Sequence, residues 1–460
     1  MSRTHAEESL GANPGDAALN PADSVAMGVD AARAPRIVES ARLRAFVALR
    51  HREFRLLFAS FVISQVGFWI SHISLQGLMV ALTDNDARMS GQLFFAIFVP
   101  AFLGAPFAGV VADVFDRKRI VIVCYSAVIV IAGILALMTA RQTITPPILI
   151  GLSLLLGTAF AFMGPANMAI AANSVPEEDL ASAVSMQSAA NNLTRVLGPL
   201  LAAPLLAGER FDIAFSTYLG SVVVATFLIA FMRLSAYTPD DDGTGIFDRM
   251  ASGAAHARQR HPAVPALAMV GMLSLFGVAH TVLIPIFAED VLGDRNLFAW
   301  IVAASGVGAL AGALVTGNDA RPPSITRSSW RLIAYGVALV VFAETTDSRI
   351  ALGAQVVIGY YYFAVMTSLQ TLLQQIVDES KRGRVMSLFQ IAWAGLVPFG
   401  GLAMGFVAAP FGVAETLAGA ALVLILFGSG MVVWSGRDAI ARIADAEHVR
   451  EAPSPSSDGR

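Results

Sequence analysis

The sequence predicts an all-α integral membrane protein with twelve transmembrane helices arranged in two six-helix repeats. Hydrophobic residues make up 56% of the 460 residues and charged residues only 14%, whereas soluble proteins contain about 25% charged residues. The apolar residues form uncharged blocks such as 120–140 and 148–172, and an α-helix needs about 20 apolar residues to cross a bilayer. The placement of basic residues and an internal repeat support the same fold class.

Twelve segments have the length and apolar character of membrane-spanning helices. The predicted spans cover residues 55–82, 91–112, 119–140, 147–171, 182–207, 211–234, 264–288, 297–317, 330–346, 350–375, 384–409 and 412–435. Around them we expect a mostly disordered N-terminal tail, two six-helix halves, a linker and a C-terminal tail. These regions are predicted at residues 1–52, 53–234, 235–262, 263–435 and 436–460.

Basic residues distinguish the two sides of the membrane. With the N-terminus in the cytoplasm, 25 of the 31 Lys and Arg residues fall in cytoplasmic segments. The opposite side carries only Arg88, Arg141, Arg210, Arg295 and Arg349. Because cytoplasmic loops are rich in Lys and Arg, we expect a cytoplasmic (inner) membrane protein with both termini in the cytoplasm.

The two halves contain a repeated segment. Residues 175–187 precede the fifth span and residues 377–389 precede the eleventh, 202 positions later, and Val, Glu and an apolar-Ser-apolar run coincide between them. Six spans separate the two copies, so the halves have the same orientation. Paired six-helix halves with a site between them form a transporter architecture.

The segment that leads into the first span, ARLRAFVALRHREFRLLF at 41–58, mixes Arg with large apolar residues. Two interpretations stay open, an interfacial amphipathic helix or a basic flank that fixes topology. The single cysteine, Cys124, excludes an intrachain disulfide. No Walker lysine motif, HExxH sequence or serine-nucleophile elbow is present, so we expect no enzyme activity, cofactor, metal site or nucleic-acid partner.

The loop between the second and third spans carries a recognisable motif, GVVADVFDRKR at 109–119. It matches the Gly-x-x-x-Asp-x-x-x-Arg-x-Arg/Lys pattern of the major facilitator superfamily at Gly109, Asp113, Arg117 and Arg119. The chain resembles this superfamily over all twelve spans, and most closely its enterobactin-exporter-like and multidrug-efflux branch. The resemblance implies a cytoplasmic gate at these four residues. In the second half, Thr316 replaces the aspartate, so we expect that copy to be weaker or differently built.

The fifth span contains Gly198-Pro199 followed by Ala202 and Ala203. Antiporters of the superfamily carry a similar Gly-Pro pattern in this helix, so the resemblance favours export. Proline removes a backbone hydrogen bond and bends a transmembrane helix. We expect Gly198 and Pro199 to shape the cavity rather than to contact the substrate.

Arg195 lies about thirteen residues into the fifth span and therefore near the bilayer midplane. An arginine at that depth costs roughly 2.5–3.5 kcal/mol on insertion scales and is expected to face protein or a water-filled cavity. One interpretation is that it attracts an anionic or aromatic group of the substrate. The other is that it donates to backbone carbonyls or to Asn191 and Asn192, one turn away.

Two histidines occupy matched positions, His72 in the first span and His280 in the seventh, 208 residues apart. Spans one and seven line the central pathway in the family that the chain resembles. The histidines are candidates for proton coupling, or each is a neutral hydrogen-bonding residue. No carboxylate lies well inside spans one, four or five, so the histidines or acids at helix ends would have to carry protons.

Amide and aromatic side chains complete the predicted substrate-binding set. Its members are Arg195, Asn191, Gln76, Trp69, Gln370, Tyr361 and Trp393. We expect export of amphiphilic, drug-like or siderophore-like molecules by alternating access with proton antiport. The alternatives are uptake of a metabolite and a transport-inactive sensor or scaffold. The expected partners are a small-molecule substrate, protons and lipid, and the expected oligomeric state is a monomer.

Overall fold

The computed structural model describes residues 46–233, 255–319 and 321–451, and every regular element in these ranges is helical. Twelve long helices follow one another in two sets of six. The first set comprises α1 (Arg52–Leu82), α2 (Ala87–Val114), α3 (Arg117–Ala140), α4 (Pro146–Asn173), α5 (Leu180–Ala207) and α6 (Phe211–Ala230). The second set begins with α7, which is built from Ala263–Met272, Leu273–Gly277, Val278–Val282 and Ile284–Asp290. It continues with α8 (Leu297–Gly317), α9 (Ile325–Glu344), α10 (Ser348–Ile376), α11 (Glu379–Gln390, Ile391–Gly395 and Val397–Phe411) and α12 (Val413–Glu451).

Side-chain caps fix several helix starts. Asp86 accepts a hydrogen bond from the Arg88 amide at 2.8 Å, Asp116 from the Arg119 amide at 2.9 Å, and Asp347 from the Arg349 amide at 2.7 Å. These caps satisfy amide donors that lack partners in the first helical turn. Gly412 alone joins α11 to α12 with φ = 96°, a backbone conformation that favours glycine.

The prediction of twelve spans in two repeats is confirmed. Eleven of the helices in the described ranges are long and apolar enough to span a membrane. The exception is α5, a 28-residue helix in which Asn191, Asn192 and Arg195 lower the mean hydropathy. Two of these polar residues, Asn191 and Arg195, are also predicted substrate-binding residues.

The seventh and eleventh helices are interrupted by short segments that are not α-helical. In α7 a π-helical segment, Leu273–Gly277, and a 3-10 segment, Val278–Val282, interrupt the helix. In α11 the interruption is the π-helical segment Ile391–Gly395. Each is followed within a few residues by a proline, Pro285 or Pro398, whose missing N–H prevents regular α-helical bonding with the preceding turn.

The bounds of α9 and of the segments at the two ends of the described chain also differ from the predicted bounds. The ninth helix begins at Ile325, where Ser324 accepts from the Arg327 amide, rather than near residue 330. The segment before the first span forms a short 3-10 turn, Val47–Arg50, directly before α1. The last helix continues to Glu451, into the segment predicted as a tail. Residues 1–45, 234–254 and 452–460 lie outside the described residues. They contain most of the predicted N-terminal tail and linker and the last part of the predicted C-terminal tail.

Close backbone contacts join the two halves. Gly91 of α2 lies against the backbone of Gly401 and Gly405 in α11. Gly306 of α8 lies against the backbone of Arg195 and Val196 in α5. Small residues allow such close helix approach in membranes, so the interface between the halves is tight on both sides of the central cavity.

Candidate functional site

A cavity of about 380 Å³ lies between the two halves and is lined by α1, α2, α5, α7, α8, α9, α10 and α11. Its volume falls within the range of about 300–1,000 Å³ that is typical of small-molecule sites. Aromatic residues form much of the wall: Phe68, Trp69, Phe94, Phe98, Phe298, Tyr335, Tyr362, Phe363 and Trp393. The polar lining residues include Gln65, His72, Gln76, Asn191, Arg195, His280, Thr281 and Ser305. None of the described residues that line the cavity is a carboxylate.

Arg195 projects into this cavity from α5. Its guanidinium carbon lies 5.3 Å from the ring centroid of Trp69 on α1 and 5.3 Å from that of Phe363 on α10. Its Nε atom is buried and hydrogen-bonds no other described residue. Cation–π contacts contribute about 2 kcal/mol when desolvated, less than the several kcal/mol that burying an unpaired ion costs. The cavity therefore holds a positive charge, between one aromatic ring from each half, that no described residue compensates.

Further donors lie near this charge. Trp393 Nε1 donates to Tyr362 Oη at 2.6 Å, which leaves the Tyr362 hydroxyl hydrogen available to another acceptor. The Trp69 Nε1 atom is buried and has no partner among the described residues. The same cavity thus contains donors from a guanidinium, an indole and a phenol, an arrangement suited to an anionic ligand.

Asn191 does not serve Arg195 as a hydrogen-bond acceptor. Its Oδ1 atom accepts from Gln65 Nε2 of α1 at 3.1 Å. The side chain of Asn192 lies outside the described set. Of the two expected asparagine partners, Asn191 therefore does not compensate the charge of Arg195.

His72 of α1 is buried and packs among aromatic rings. The ring of Phe68 is stacked on it at 5.7 Å, and the ring of Phe98 meets it edge-on at 5.5 Å. Its Nε2 atom is 3.0 Å from Gln76 Nε2. Its Nδ1 atom is buried and hydrogen-bonds no other described residue. One ring nitrogen of His72 therefore has no hydrogen-bond partner among the described residues.

His280 lines the same cavity but differs from His72 in its bonding. Its Nδ1 atom contacts the Gly277 carbonyl oxygen and lies 3.3 Å from Tyr335 Oη. Its Nε2 atom is 3.2 Å from Gln355 Nε2. Both nitrogens have protein partners, so the matched histidines of the two halves have different surroundings.

The predicted substrate-binding residues divide into two groups. Five of them line the cavity: Arg195, Asn191, Gln76, Trp69 and Trp393. Gln370 is exposed and Tyr361 is not among the lining residues. Tyr362 and Phe363 line the cavity instead of Tyr361, because each step along a helix turns the side chain by about 100°.

Gly198 explains how Trp69 comes close to Arg195. A Cβ atom added at Gly198 would lie 2.2 Å from the Cβ atom of Trp69 and would therefore collide with it. Pro199 follows it inside the helix, and α5 continues through both residues to Ala207. Glycine at this position lets α1 and α5 approach until Trp69 meets the Arg195 side chain.

The predicted gate lies at the junction of α2 and α3. Gly109 and Asp113 belong to the end of α2, and their side chains lie outside the described set. Arg117 and Arg119 lie in the first turn of α3. Lys118, which the motif does not include, donates to the carbonyls of Ala230 at 2.8 Å and Met232 at 2.7 Å, at the end of α6.

The corresponding loop of the second half contains a charged cluster on Asp319, three residues after Thr316. Arg321 Nε donates to Asp319 at 2.9 Å, and Arg327 and Arg331 lie 3.7 and 3.5 Å from its carboxylate. These hydrogen bonds and charges, first of all those of Arg321, lower the pKa of Asp319 to about 2. Arg331 also donates to Ser368 and to the Ala364 carbonyl of α10.

Each half also contains a cluster in which a histidine and an arginine lie close to one aspartate. Before α1, His51 Nε2 and Arg50 Nη2 contact Asp179 at 2.7 and 2.8 Å. These contacts, led by the hydrogen bond to His51, lower the pKa of Asp179. Before α7, Arg260 Nη2 contacts Asp378 at 2.5 Å, and His256 Nε2 lies 3.6 Å from the same carboxylate. Within the described ranges, no group of His, Cys, Asp and Glu residues has the arrangement of a metal site.

Comparison with known proteins gives concordant results. The profile of the family described as transmembrane secretion effector matches residues 43–451. The staphyloferrin A transporter of Staphylococcus aureus (strain NCTC 8325 / PS 47) is 24% identical over 373 residues, which cover 79% of this chain and 91% of that protein. The uncharacterized MFS-type transporter YfiS of Bacillus subtilis (strain 168) is 24% identical over 355 residues, which cover 73% and 82% of the two chains.

Solved structures share the fold at low sequence identity. The nucleoside transporter NupG superposes with a TM-score of 0.66 at 15% identity, covering 82% of this chain and 99% of that one. A bacterial homolog of the human lysosomal transporter Spinster, in an inward-facing and unoccupied conformation, gives 0.65 at 14% identity, covering 84% and 97%. These similarities show the same twelve-helix fold.

Proposed function

We propose that the protein exports amphiphilic anions bearing an aromatic or other planar group. The premise is that this chain belongs to the transmembrane secretion effector family of major facilitator transporters. Transport would proceed by alternating access of the central cavity in exchange for protons. The observation that carries the proposal is Arg195, a cation in an aromatic cavity whose described lining contains no carboxylate.

The cavity chemistry supports the substrate class. A bound anion would supply the counter-charge that Arg195 lacks, and a planar group would pack against Trp69 and Phe363. Hydrogen bonds that involve a charged group contribute about 1.5–3 kcal/mol, so the arginine can account for about one to two orders of magnitude in affinity. The remaining aromatic wall would bind the apolar part of the molecule.

The relatives support export and a siderophore-like substrate. The family description names secretion, and one relative is named as a transporter of staphyloferrin A. The Gly198-Pro199 pair in α5 is consistent with this direction. We therefore propose export, and a siderophore-like substrate, for this chain as well.

Proton exchange is the proposed driving reaction, with His72 as the first proton site and His280 as the second. His72 shares the cavity with Arg195 and has a ring nitrogen that hydrogen-bonds none of the other described residues. Export of an anion and entry of a proton both move charge in the direction that an inside-negative potential favours. Each charge gains about 2.3 kcal/mol per 100 mV, so the exchange would use the potential as well as the pH gradient.

The proposed topology places both termini in the cytoplasm of a cell with a cytoplasmic (inner) membrane. It follows from the distribution of basic residues. The cluster around Asp319 and the Arg117 end of α3 then lie on the cytoplasmic side. We propose a monomer as the active unit, because helices of a single chain enclose the cavity.

Transport into everted membrane vesicles tests the proposal. Vesicles containing the protein should accumulate anionic, ring-bearing compounds when acidified inside, and collapse of the proton gradient should stop accumulation. Arg195→Gln should reduce the initial rate at least tenfold, whereas Arg195→Lys should retain part of it. The control is Arg141→Gln, the same change at an exposed helix end. Accumulation that persists without a proton gradient and is insensitive to Arg195→Gln would contradict the proposal.

A further inference from the structure

A second, much smaller cavity lies behind His72, inside the first half of the molecule. It measures about 10 Å³ and is lined by Phe68, Ser71, His72, Leu75, Ile97, Leu156, Phe160 and Tyr218. Phe68 and His72 line both this cavity and the large central one. They therefore form the partition between the two spaces, with one ring nitrogen of His72 bonded on the Gln76 side.

Three buried polar atoms belong to residues that line the small cavity. They are Ser71 Oγ, His72 Nδ1 and Tyr218 Oη, and none hydrogen-bonds another described residue. Ser71 is 2% exposed, Tyr218 1% and His72 7%. Leaving a buried polar group unsatisfied costs about 1–3 kcal/mol, so three such atoms around one cavity indicate a shared polar ligand.

We propose that this cavity binds a single water molecule held by His72 Nδ1, Ser71 Oγ and Tyr218 Oη. A buried water needs two to four polar partners and a space of roughly 10–15 Å³, and the cavity supplies three partners and that space. No larger ligand fits. The lining side chains of α2 and α4 are apolar. Among the lining residues, only these three groups can therefore hydrogen-bond to the water.

The Gln76 contact and the water together determine which nitrogen of His72 carries the proton. Gln76 Nε2 donates to His72 Nε2, so the neutral ring carries its hydrogen on Nδ1 and donates it to the water oxygen. The two water hydrogens are then donated to Ser71 Oγ and Tyr218 Oη. This arrangement directs the basic nitrogen, Nε2, towards the central cavity.

The consequence for transport rests on the proposed function. A proton entering the central cavity binds His72 Nε2 and displaces the hydrogen bond from the Gln76 amide, while the hydrogen on Nδ1 stays on the ring and continues to donate to the water oxygen. The positive ring is thereby stabilised by a water that is separated from the substrate. Other charged or titratable groups around it are Tyr218 on α6 and, across the central cavity, Arg195, His280, Tyr335 and Tyr362.

Gly67 holds Tyr218 in position for this role. A Cβ atom at Gly67 would collide with Ser221 and would lie 3.0 Å from the ring of Tyr218. The absence of that atom lets α6 approach α1 one turn before Ser71. Ser71 and Tyr218 are thus positioning residues, which act on protons through the water and through His72.

The direct test is a structure of the full-length protein in lipid nanodiscs at a resolution that reveals ordered water, combined with nitrogen NMR of labelled histidine. We expect a density peak within hydrogen-bonding distance of all three atoms and a His72 ring protonated on Nδ1. A collapsed cavity in which Tyr218 Oη bonds directly to His72 or Ser71 would overturn the proposal. This readout does not depend on transport, so it separates failure of the water site from failure of the proposed function.

The pH dependence of transport tests the functional part. Tyr218→Phe and Ser71→Ala each remove one water partner and should shift the midpoint of the transport pH profile to lower pH by about half a unit or more. The matched control is Tyr125→Phe, a buried tyrosine on α3 whose hydroxyl donates to Ser64 at 3.0 Å, and its midpoint should stay unchanged. Identical profiles for the wild type and all three variants would exclude a positioning role for the water.

Discussion

Arg195 and Arg331 both lie within membrane helices, and their surroundings differ. Arg331 of α9 contacts Asp319 at 3.5 Å and donates to Ser368 and to the Ala364 carbonyl. Arg195 of α5 contacts two aromatic rings and forms no ion pair with any described residue. The first arginine connects three segments of one half, and the second is available to a ligand.

Thermal unfolding should therefore separate the two arginines. Arg331→Met removes bonds to buried groups, and we expect it to lower stability by about 1–3 kcal/mol. Arg195→Met replaces an uncompensated charge with an apolar side chain of similar length, so stability should be unchanged or higher. Melting of both variants in the same detergent gives the comparison, and strong destabilisation by Arg195→Met would show that Arg195 has a structural role.

The Asp319 cluster predicts a pH dependence of stability. The pKa of Asp319 is lowered to about 2, from an ordinary value of 3.8. A lowered folded-state pKa means that the ionised carboxylate stabilises the fold fully above pH 4 and that this contribution is lost as the pH falls towards 2. Asp319→Asn should therefore lower the melting temperature at pH 7, and the difference from the wild type should shrink between pH 4 and pH 2. A difference independent of pH would contradict this assignment.

Side chains could be predicted from the sequence only where their chemistry is unusual. Arg195 and His72 are identifiable because a charge or an imidazole is costly inside an apolar helix. Tyr362 and Phe363 could not be separated from Tyr361, because α10 packs against several helices and its aromatic run covers a full turn. The pairing of Gln65 with Asn191 depends on how α1 and α5 are rotated, which only the packed structure fixes.

At the level of helices, the interruptions of α7 and α11 place His280 and Trp393 at the cavity. Each residue lies within a non-α segment of its helix. Hydropathy identifies these spans correctly but is insensitive to a local change from α-helical to π-helical or 3-10 bonding. Pro285 and Pro398 are the local signal, although a proline in a membrane helix does not by itself specify which irregular turn precedes it.

The contact between α1 and α5 leads to a further prediction. Gly198→Val would place side-chain atoms where Trp69 lies, so the helices must separate and the ring must leave Arg195. We expect at least a tenfold lower transport rate because a site displaced by about 1 Å can lose two orders of magnitude in rate. Gly353→Val in α10, where an added Cβ meets nothing within 4 Å, is the control. Equal rates for the two variants would mean that this contact does not position the site.

For the whole molecule, polar contacts join the halves at the end predicted to be external. Arg295 connects Glu209 of the α5–α6 turn with Glu289 of α7, at 2.9 Å to each carboxylate. Asn85 of the α1–α2 turn donates to Asp290. These contacts join the two halves at the end predicted to be external, as expected for a transporter closed at that end.

Loosening this contact should expose the cavity to the outside. The Glu209–Arg295 pair is largely exposed, and exposed pairs contribute only about 0.2–1 kcal/mol. Glu209→Gln should therefore raise the labelling rate of an introduced Val302→Cys thiol from outside by up to about fivefold, in a Cys124→Ser background. Glu344→Gln, the same change at the end of α9, is the control. No difference between the two variants would show that the contact does not restrain the outer side.

The overall architecture could be predicted almost completely because hydropathy, basic residues and an internal repeat each report on it independently. The twelve spans and their two-repeat order follow from these patterns alone. The small cavity behind His72 could not be predicted, because it depends on Gly67 bringing α6 against α1 and on an apolar wall from α2 and α4. The cluster on Asp319 was also missed, since its aspartate lies three positions beyond the site at which the motif would place it.

The central claim is that Arg195 binds the anionic group of the substrate. Equilibrium binding to the purified protein in nanodiscs, for one ring-bearing anion and its neutral amide or ester analogue, tests it most directly. We predict that Arg195→Gln weakens binding of the anion about 10- to 100-fold, as loss of a charged hydrogen bond requires, and leaves the neutral analogue unaffected. Equal affinity of wild type and Arg195→Gln for the anion would contradict the claim.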